Sequence, residues 1–205
     1  MTSDFDARAQ TWDDDPAKSE RAKAVAEAIV RQAAPTRAMK GLEYGSGTGL
    51  LSFMLRPQLG AVTLVDTSAG MLEVADRKIA AAGDAAMRTL RIDLLAEAAP
   101  EERYDIVYSL MVLHHVPDTP GILRRLHDVL SPGGVLCIAD LDAEDGSFHG
   151  EGFDGHLGFD RDELGAKARA AGFRAVEFST VHEIRRNTAG GTRVYPVFLM
   201  VARRD

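Results

Sequence analysis

Short apolar runs alternate with amphipathic stretches along most of the chain. Residues 39–44 (MKGLEY) are apolar and end at a glycine cluster, and LLSFML at 50–55 reads as helix that stops before Pro57, since the residue before a proline is disfavoured in helix. AVTLVD at 61–66 is a β-branched run ending on an acid. At 68–83 Met71, Leu72, Ala75 and Ile79 recur three and four apart and the stretch closes on Gly83, which predicts a helix with a glycine stop. MRTLRID at 87–93 alternates, and YDIVYSLMVLHH opens a further β-rich run. Thr119 and Pro120 predict an N-cap and first-turn proline for a helix through Leu130, which Ser131-Pro132-Gly133-Gly134 ends. VLCIADL at 135–141 reads as a buried strand. Asp160 with Glu163 predicts a capping box for a helix stopping at Gly172. Residues 174–183 and 194–202 read as strands joined by a turn around Asn187 to Gly191.

Five strand-then-helix alternations predict an α/β fold, a doubly wound, mostly parallel sheet with helices on both faces. The last two strands leave no room for a crossover helix, so they form an antiparallel hairpin and bring the sheet to seven strands. Pro196 lacks an amide donor and belongs near its strand's start or at a gap in pairing. At the N-terminus, Asp15-Pro16 predicts the cap of a helix running to Ala34, with Val25, Ala26, Ile29 and Ala33 on one face. A polar segment holding the only tryptophan, Trp12, precedes it, and Phe5 and Trp12 mark that segment as one that folds over something. The expected organisation is one domain over 1–205: an arm and lid helix to residue 38, a core over 39–141, and a loop, helix and hairpin over 142–205.

Composition narrows the function. Thirty-one acidic against 24 basic residues give a net charge of −7 over 205 residues, which argues against a nucleic-acid partner that needs a cationic face. The one cysteine, Cys137, excludes an internal disulfide and cysteine metal clusters. No apolar stretch approaches the roughly 20 residues of a membrane helix, and the opening MTSDFDARAQTWDDDP is acidic with no apolar centre. The expectation is a cytoplasmic protein that works on small molecules without membrane contact; its oligomeric state is not encoded legibly.

The first predicted strand runs into Glu43-Tyr44-Gly45-Ser46-Gly47-Thr48-Gly49. Glycines let the backbone turn sharply and approach a ligand. The pattern is acid-x-GxGxG, with Leu50 where a dinucleotide fingerprint has its last glycine, and it contains no GK[ST] phosphate loop. Asp66, at the end of the second strand, is placed to accept from a ribose diol. With EYGSGTG, the stretches LVDTSAGMLEVA, RIDLL, YDIVYSLMVLHHVPD and LSPGGVL follow in order. In these blocks the chain resembles the class I S-adenosylmethionine-dependent methyltransferases, and most nearly the small-molecule, type 11/12-like branch that includes quinone-biosynthesis enzymes. The opening FDARAQTWDDDP resembles that branch too.

The resemblance implies a Rossmann-like fold, S-adenosyl-L-methionine as cofactor and S-adenosyl-L-homocysteine as product. It implies that Gly45, Ser46, Gly47 and Gly49 pass under the methionine part, that Glu43 binds the amino group, and that Asp66 takes the ribose hydroxyls. Met71, with Thr67 and Ser68, would pack at the adenine; Asp93 would accept from its amine, flanked by Ile92 and Leu94. Ser109 and Met111 would line the methionine side, and Trp12 would cover the cofactor. Methyl transfer is an in-line displacement from a cationic sulfonium, so acids suit the cofactor better than a phosphate cradle. The expected acceptor atom is an oxygen, nitrogen or carbon of a small molecule; positioning does most of the work, and a base assists where an oxygen or nitrogen must lose a proton.

His114 and His115 follow the fourth strand and are the candidate bases. Open α/β sheets bind ligands at the carboxyl ends of their strands, where the glycine-rich segment 142–159 emerges. Phe148, His149, Phe153 and His156 there, with Arg185 near the last turn, are candidate contacts for a small-molecule methyl acceptor, and Arg186 and Arg193 flank the same turn as further partners for an acidic one. No metal site is expected, because no ligand spacing forms a motif. Two other readings stay open: a non-catalytic cofactor-binding protein of the same fold, and a nicotinamide-dependent dehydrogenase.

Overall fold

The computed structural model describes residues 2–150, 152–188 and 191–205. Seven strands form one sheet: β1 (Lys40–Tyr44), β2 (Ala61–Asp66), β3 (Met87–Arg91), β4 (Tyr104–Leu110), β5 (Leu130–Leu141), β6 (Phe173–Thr188) and β7 (Gly191–Arg204). Their order is β3-β2-β1-β4-β5-β7-β6. The first five pair in parallel, and β7 runs antiparallel between β5 and β6. Among the described residues, α1 (Thr2–Arg8) and α2 (Pro16–Ala33) precede the sheet, and α3 (Leu50–Leu55), α4 (Ala69–Ala82), α5 (Thr119–Val129) and α6 (Arg161–Ala170) lie between its strands.

Alternation along the strands builds two cores. Leu64, Tyr108, Cys137 and Ala139 meet Val25 and Ile29 of α2 and Ala75 of α4 on one face. Val65, Val107, Leu136 and Ile138 meet Ile122 and Leu126 of α5 and Leu164 of α6 on the other. Successive side chains of a strand point to opposite faces, so a near-continuous apolar run is what a sheet covered on both sides requires.

The helix starts follow the expected chemistry in most places. Asp15 caps α2 by accepting from the Ala17 amide, Ser68 caps α4 from Met71, and Asp160 caps α6 from Asp162 and Glu163. Three local expectations change. The cap of α5 is Asp118, which accepts from Gly121, and Thr119 is already inside the helix. The expected alternation also misses once: β3 and β4 are joined by a turn that Asp93 organises through the Leu95 amide, with no helix. The segment before α2 is itself helical, as α1 followed by a 3₁₀ stretch, Ala9–Asp14.

The terminal strands are longer than their apolar runs, because the hairpin continues in polar residues to the pair Thr188 and Gly191. The tip of the expected turn lies outside the described residues. Pro196 sits where β5 runs out: Leu141 pairs with Val197, and the Asp142 amide donates to the Pro196 carbonyl. The strand order reverses between β1 and β4, which opens a crevice at the carboxyl ends of the parallel strands.

Candidate functional site

The loop after β1 crosses the mouth of that crevice. Gly45, Gly47 and Gly49 all have positive φ, at 65°, 53° and 82°, a region that costs any residue with a Cβ. A Cβ on Gly45 would also collide with both methyls of Val112. The Gly47 amide donates to Asp66 Oδ2 at 2.7 Å, and the Ser68 amide donates to Oδ1 at 2.8 Å. One carboxylate therefore fixes the loops after β1 and β2 together.

These loops wall a cavity of about 440 Å³. Of the residues singled out in the sequence, Trp12, Glu43, Gly45, Ser46, Gly47, Asp66, Thr67, Met71, Ile92, Asp93 and Met111 line it. His114, His115, Phe148 and His149 do so as well. The cavity is acidic at this end. Glu43 is only 3% exposed; its Oε2 accepts from the Ser52 amide at 3.1 Å. Burial pushes its carboxyl up to about 8, against the pull of the Ser52 hydrogen bonds. Burial raises Asp66 too, opposed by its amide donors.

The remaining expected residues lie behind the wall. Ser68 hydroxyl caps α4 and donates to Asp6. Gly49 caps α3, with its backbone against Leu64. Leu94 turns into the core and its neighbour Leu95 reaches the cavity. Ser109 is buried in β4 with its hydroxyl unpartnered. Phe153 stacks on His149 with ring centroids 3.8 Å apart and planes at 9°. His156 Nε2 bonds the Val116 carbonyl at 3.0 Å and Thr119 at 3.2 Å, which fastens the 142–159 segment down.

Arg185 points away from the cavity and pairs with Glu183 at 3.2 Å. Strand alternation gives its place to Arg186, which lines the cavity and stacks over Phe148 at 3.9 Å. Arg21 of α2, which the sequence did not single out, is a second lining arginine. Its Nε is buried without a hydrogen-bond partner among the described residues, and burial, with Arg186 nearby, lowers its pKa.

His114 stands at the centre of this basic end, 1% exposed. Its Nδ1 lies 2.6 Å from Asp140 Oδ1, and its amide donates to Oδ2 at 3.2 Å. The pair fixes Nδ1 as the protonated nitrogen and leaves Nε2 as the free one. His115 and His149 are held near pKa 4 chiefly by burial, then by neighbouring histidines, and are neutral at pH 7.

The N-terminal arm closes the other side. Asp6 Oδ1 accepts from Ser68 Oγ at 2.5 Å and from the Gly70 amide at 2.8 Å. Asp13 accepts from Thr48 and pairs with Lys78 at 2.8 Å. Phe5 sets its ring edge-on to Trp12 at 5.8 Å and to His115 at 5.5 Å. Lys18 lies 3.6 Å from the centre of the Trp12 ring.

Residues 42–136 match the methyltransferase domain family. An uncharacterized methyltransferase of Mycobacterium tuberculosis is 36% identical over 97 residues, 47% of this chain and 48% of that relative. The ubiquinone biosynthesis O-methyltransferase of Pseudomonas entomophila is 31% identical over 103 residues, 50% of this chain and 44% of the relative. The chain thus spans about half the length of the curated relatives it matches. Among solved structures, a methyltransferase from Haloferax volcanii, seen in complex with its Trm112 activator, superposes with a TM-score of 0.76 at 18% identity, covering 97% of this chain and 96% of that one. A phosphoethanolamine N-methyltransferase of Haemonchus contortus, bound to S-adenosylhomocysteine, gives 0.71 at 17% identity over 87% of this chain and 52% of that one. Residues 42–136 thus carry the match to the methyltransferase domain family, and the sheet around them has the Rossmann-like fold of the solved methyltransferase structures.

Proposed function

We propose that the chain transfers a methyl group from S-adenosyl-L-methionine to an oxygen of a small acidic molecule. The observation that carries this is the division of one cavity between carboxyl groups, Glu43, Asp66 and Asp93, at one end and the guanidiniums of Arg21 and Arg186 beside the histidines at the other. The acidic end fits the cofactor. Glu43 is buried with an oxygen to spare for an ammonium group, the Ser46 hydroxyl is buried and unpartnered, and Asp66 keeps lone pairs for a ribose diol. When bound, the cofactor supplies an electrophilic methyl on a sulfonium, already joined to a good leaving group.

The chain's own residues then position and deprotonate. Arg186 and Arg21 make no ion pair with any described residue; Arg186 Nη1 donates to the Phe148 carbonyl, which anchors the guanidinium and leaves its charge unneutralised for an anionic acceptor. Phe148 and the arm's Phe5 and Trp12 exclude water from the space between the two ends. His114, its tautomer set by Asp140, is the histidine with a free nitrogen and a carboxylate behind it, and it takes the acceptor's proton. The arm serves as a lid, since it touches α4 beside the cofactor end and His115 beside the acceptor end.

The test has two stages. Calorimetry with S-adenosylhomocysteine comes first, and an absence of binding would overturn the reading. A panel of small phenolic and carboxylic acids is then screened for S-adenosylhomocysteine release. With an active acceptor, Arg186→Gln should raise KM about tenfold or more, while Arg185→Gln leaves it unchanged. Binding without turnover on any acid would favour the non-catalytic reading.

A further inference from the structure

We propose that His114, His115 and His149 together bind one divalent transition-metal ion of the zinc type. One ligand nitrogen from each lies within 4.8 Å of the others. His114 and His115 come from the single turn Leu113–His115 after β4, and His149 comes from the segment after β5. The fold closes a set that no sequence spacing announces.

Three features separate this cluster from ordinary aromatic packing. Asp140 grips His114 Nδ1 at 2.6 Å and is itself held by the Leu141 amide at 2.8 Å. That is the carboxylate–histidine arrangement that orients a metal ligand and raises its basicity. The Nδ1 atoms of His115 and His149 are buried and have no hydrogen-bond partner among the described residues, although buried nitrogens are normally satisfied. Phe153 stacks flat on His149 and fixes the plane of its ring. All three histidines line the cavity, so a further coordination position faces the acceptor.

The donor set chooses the ion. Three imidazoles suit zinc, cobalt, nickel or iron(II), whereas magnesium and calcium demand oxygen ligands. Metal–nitrogen bonds of about 2.0–2.1 Å put tetrahedral ligands roughly 3.3 Å apart, so binding draws the cluster together slightly.

The chemistry rests on the methyl-transfer reading above. An acceptor hydroxyl coordinated at the open position would have its pKa lowered and would release its proton to solvent as it enters, before the arm closes over it. The acceptor oxygen then forms the O–CH₃ bond as the S–CH₃ bond breaks, and that electron pair stays on sulfur as a neutral thioether. The ion takes over the deprotonating task that His114 performs without it.

The experiment is a titration of the untagged full chain with Co²⁺ alone, read by visible absorption and by metal content after dialysis. Wild type should bind one equivalent with the intense bands of a four- or five-coordinate site. His115→Gln and His149→Gln should each weaken binding at least tenfold with unchanged melting. Asp140→Asn should weaken it about 10–100-fold, as loss of an outer-shell partner does. His127→Gln, whose ring packs on Phe173 outside the cavity, should change nothing. Wild-type binding no tighter than that of the His115→Gln/His149→Gln pair would overturn the proposal. S-adenosylhomocysteine calorimetry on the same wild-type sample keeps the two readings apart. Cofactor binding without Co²⁺ sinks the metal site alone, and Co²⁺ binding without cofactor sinks the transferase reading and leaves the site standing.

Discussion

The two ends of the cavity differ in charge and in how the chain assembles them. The acidic end comes from the tips of β1, β2 and β3, where Glu43, the glycine loop, Asp66 and Asp93 follow one another along the chain. The basic end gathers Arg21 from α2, His114 and His115 from the turn after β4, His149 from a loop, and Arg186 from the outermost strand. A local backbone geometry fixes the first. The second exists only once the sheet has formed. Changes at the acidic end should therefore act sharply on cofactor affinity, and changes at the basic end on acceptor use.

The largest expected effect tests the locally built end. Gly45→Ala places a Cβ at φ 65° against the stiff side chain of Val112. Left-handed backbone and overpacking together cost about 2–5 kcal/mol, and the loop must move to relieve them. S-adenosylhomocysteine binding should vanish in calorimetry, with a lowered Tm. Retained affinity would show that the loop tolerates rearrangement and that its geometry does not define the acidic end.

Asp66→Ala comes next. It removes a charged acceptor and leaves the Gly47 and Ser68 amides without their partner. Charged hydrogen bonds are worth about 1.5–3 kcal/mol, so affinity should fall about tenfold to a hundredfold. Near-wild-type affinity would mean that the ribose is held elsewhere.

The same contrast explains what was legible beforehand. Alternating runs and cap residues revealed the sheet and most helices, because local patterns decide them. The hairpin was read short because Arg185, Arg186 and Arg193 are polar, and polar residues on an outer hairpin extend strands without an apolar signature. The turn after β3 passed for a strand-to-helix alternation because nothing in 94–103 distinguishes a short crossover. At the acidic end a motif carries its own geometry, so residues could be named one by one. Even there Leu94 and Leu95 exchanged places, since no strand period governs a turn. At the basic end only parity mattered, and it could not be read without the register of β6: Arg186 faces in and Arg185 faces out. Arg21 gave no signal at all, because it lies on a helix among other charged residues.

A smaller effect sharpens the charge difference. Burial holds Glu43 at about 8 in the folded protein, against 4.5 for a free glutamate. Between those values the folded state keeps a proton that the unfolded state gives up. Stability of the ligand-free protein should therefore fall as pH rises from about 4.5 to about 8. An ammonium group bound beside Glu43 favours its ionised form. Binding of S-adenosylhomocysteine below pH 8 should thus release a proton, and affinity should rise by up to about tenfold per pH unit towards that value. Calorimetry in two buffers of different ionisation enthalpy reads the release directly. Glu43→Gln should abolish it; a variant that still releases the proton would move the titration to another group.

The smallest expected effect concerns the arm, which spans both ends. Asp6 reaches the N-terminus of α4, where its Oδ1 accepts from Ser68 Oγ and from the Gly70 amide. These bonds, Ser68 first, hold its carboxyl below the usual range, so it is ionised at neutral pH. Asp6 is exposed, so water replaces it readily, and Asp6→Ala should leave the Tm almost unmoved. The contact still sets the height of the arm, because a Cβ on Gly70 would come within 3.0 Å of Asp6 Cα. Loosening it loosens Phe5 and Trp12 above the cavity. Release of S-adenosylhomocysteine, followed by stopped-flow Trp12 fluorescence, should quicken about two- to fivefold, as expected for losing a carboxylate at a helix start. Salt should narrow the difference, since the contact is exposed. If release is unchanged while Asp13→Ala quickens it, the arm is pinned at Lys78 and Thr48 and closes only the acidic end. If both variants release at the wild-type rate, the arm is no lid, and the two ends of the cavity open to solvent independently.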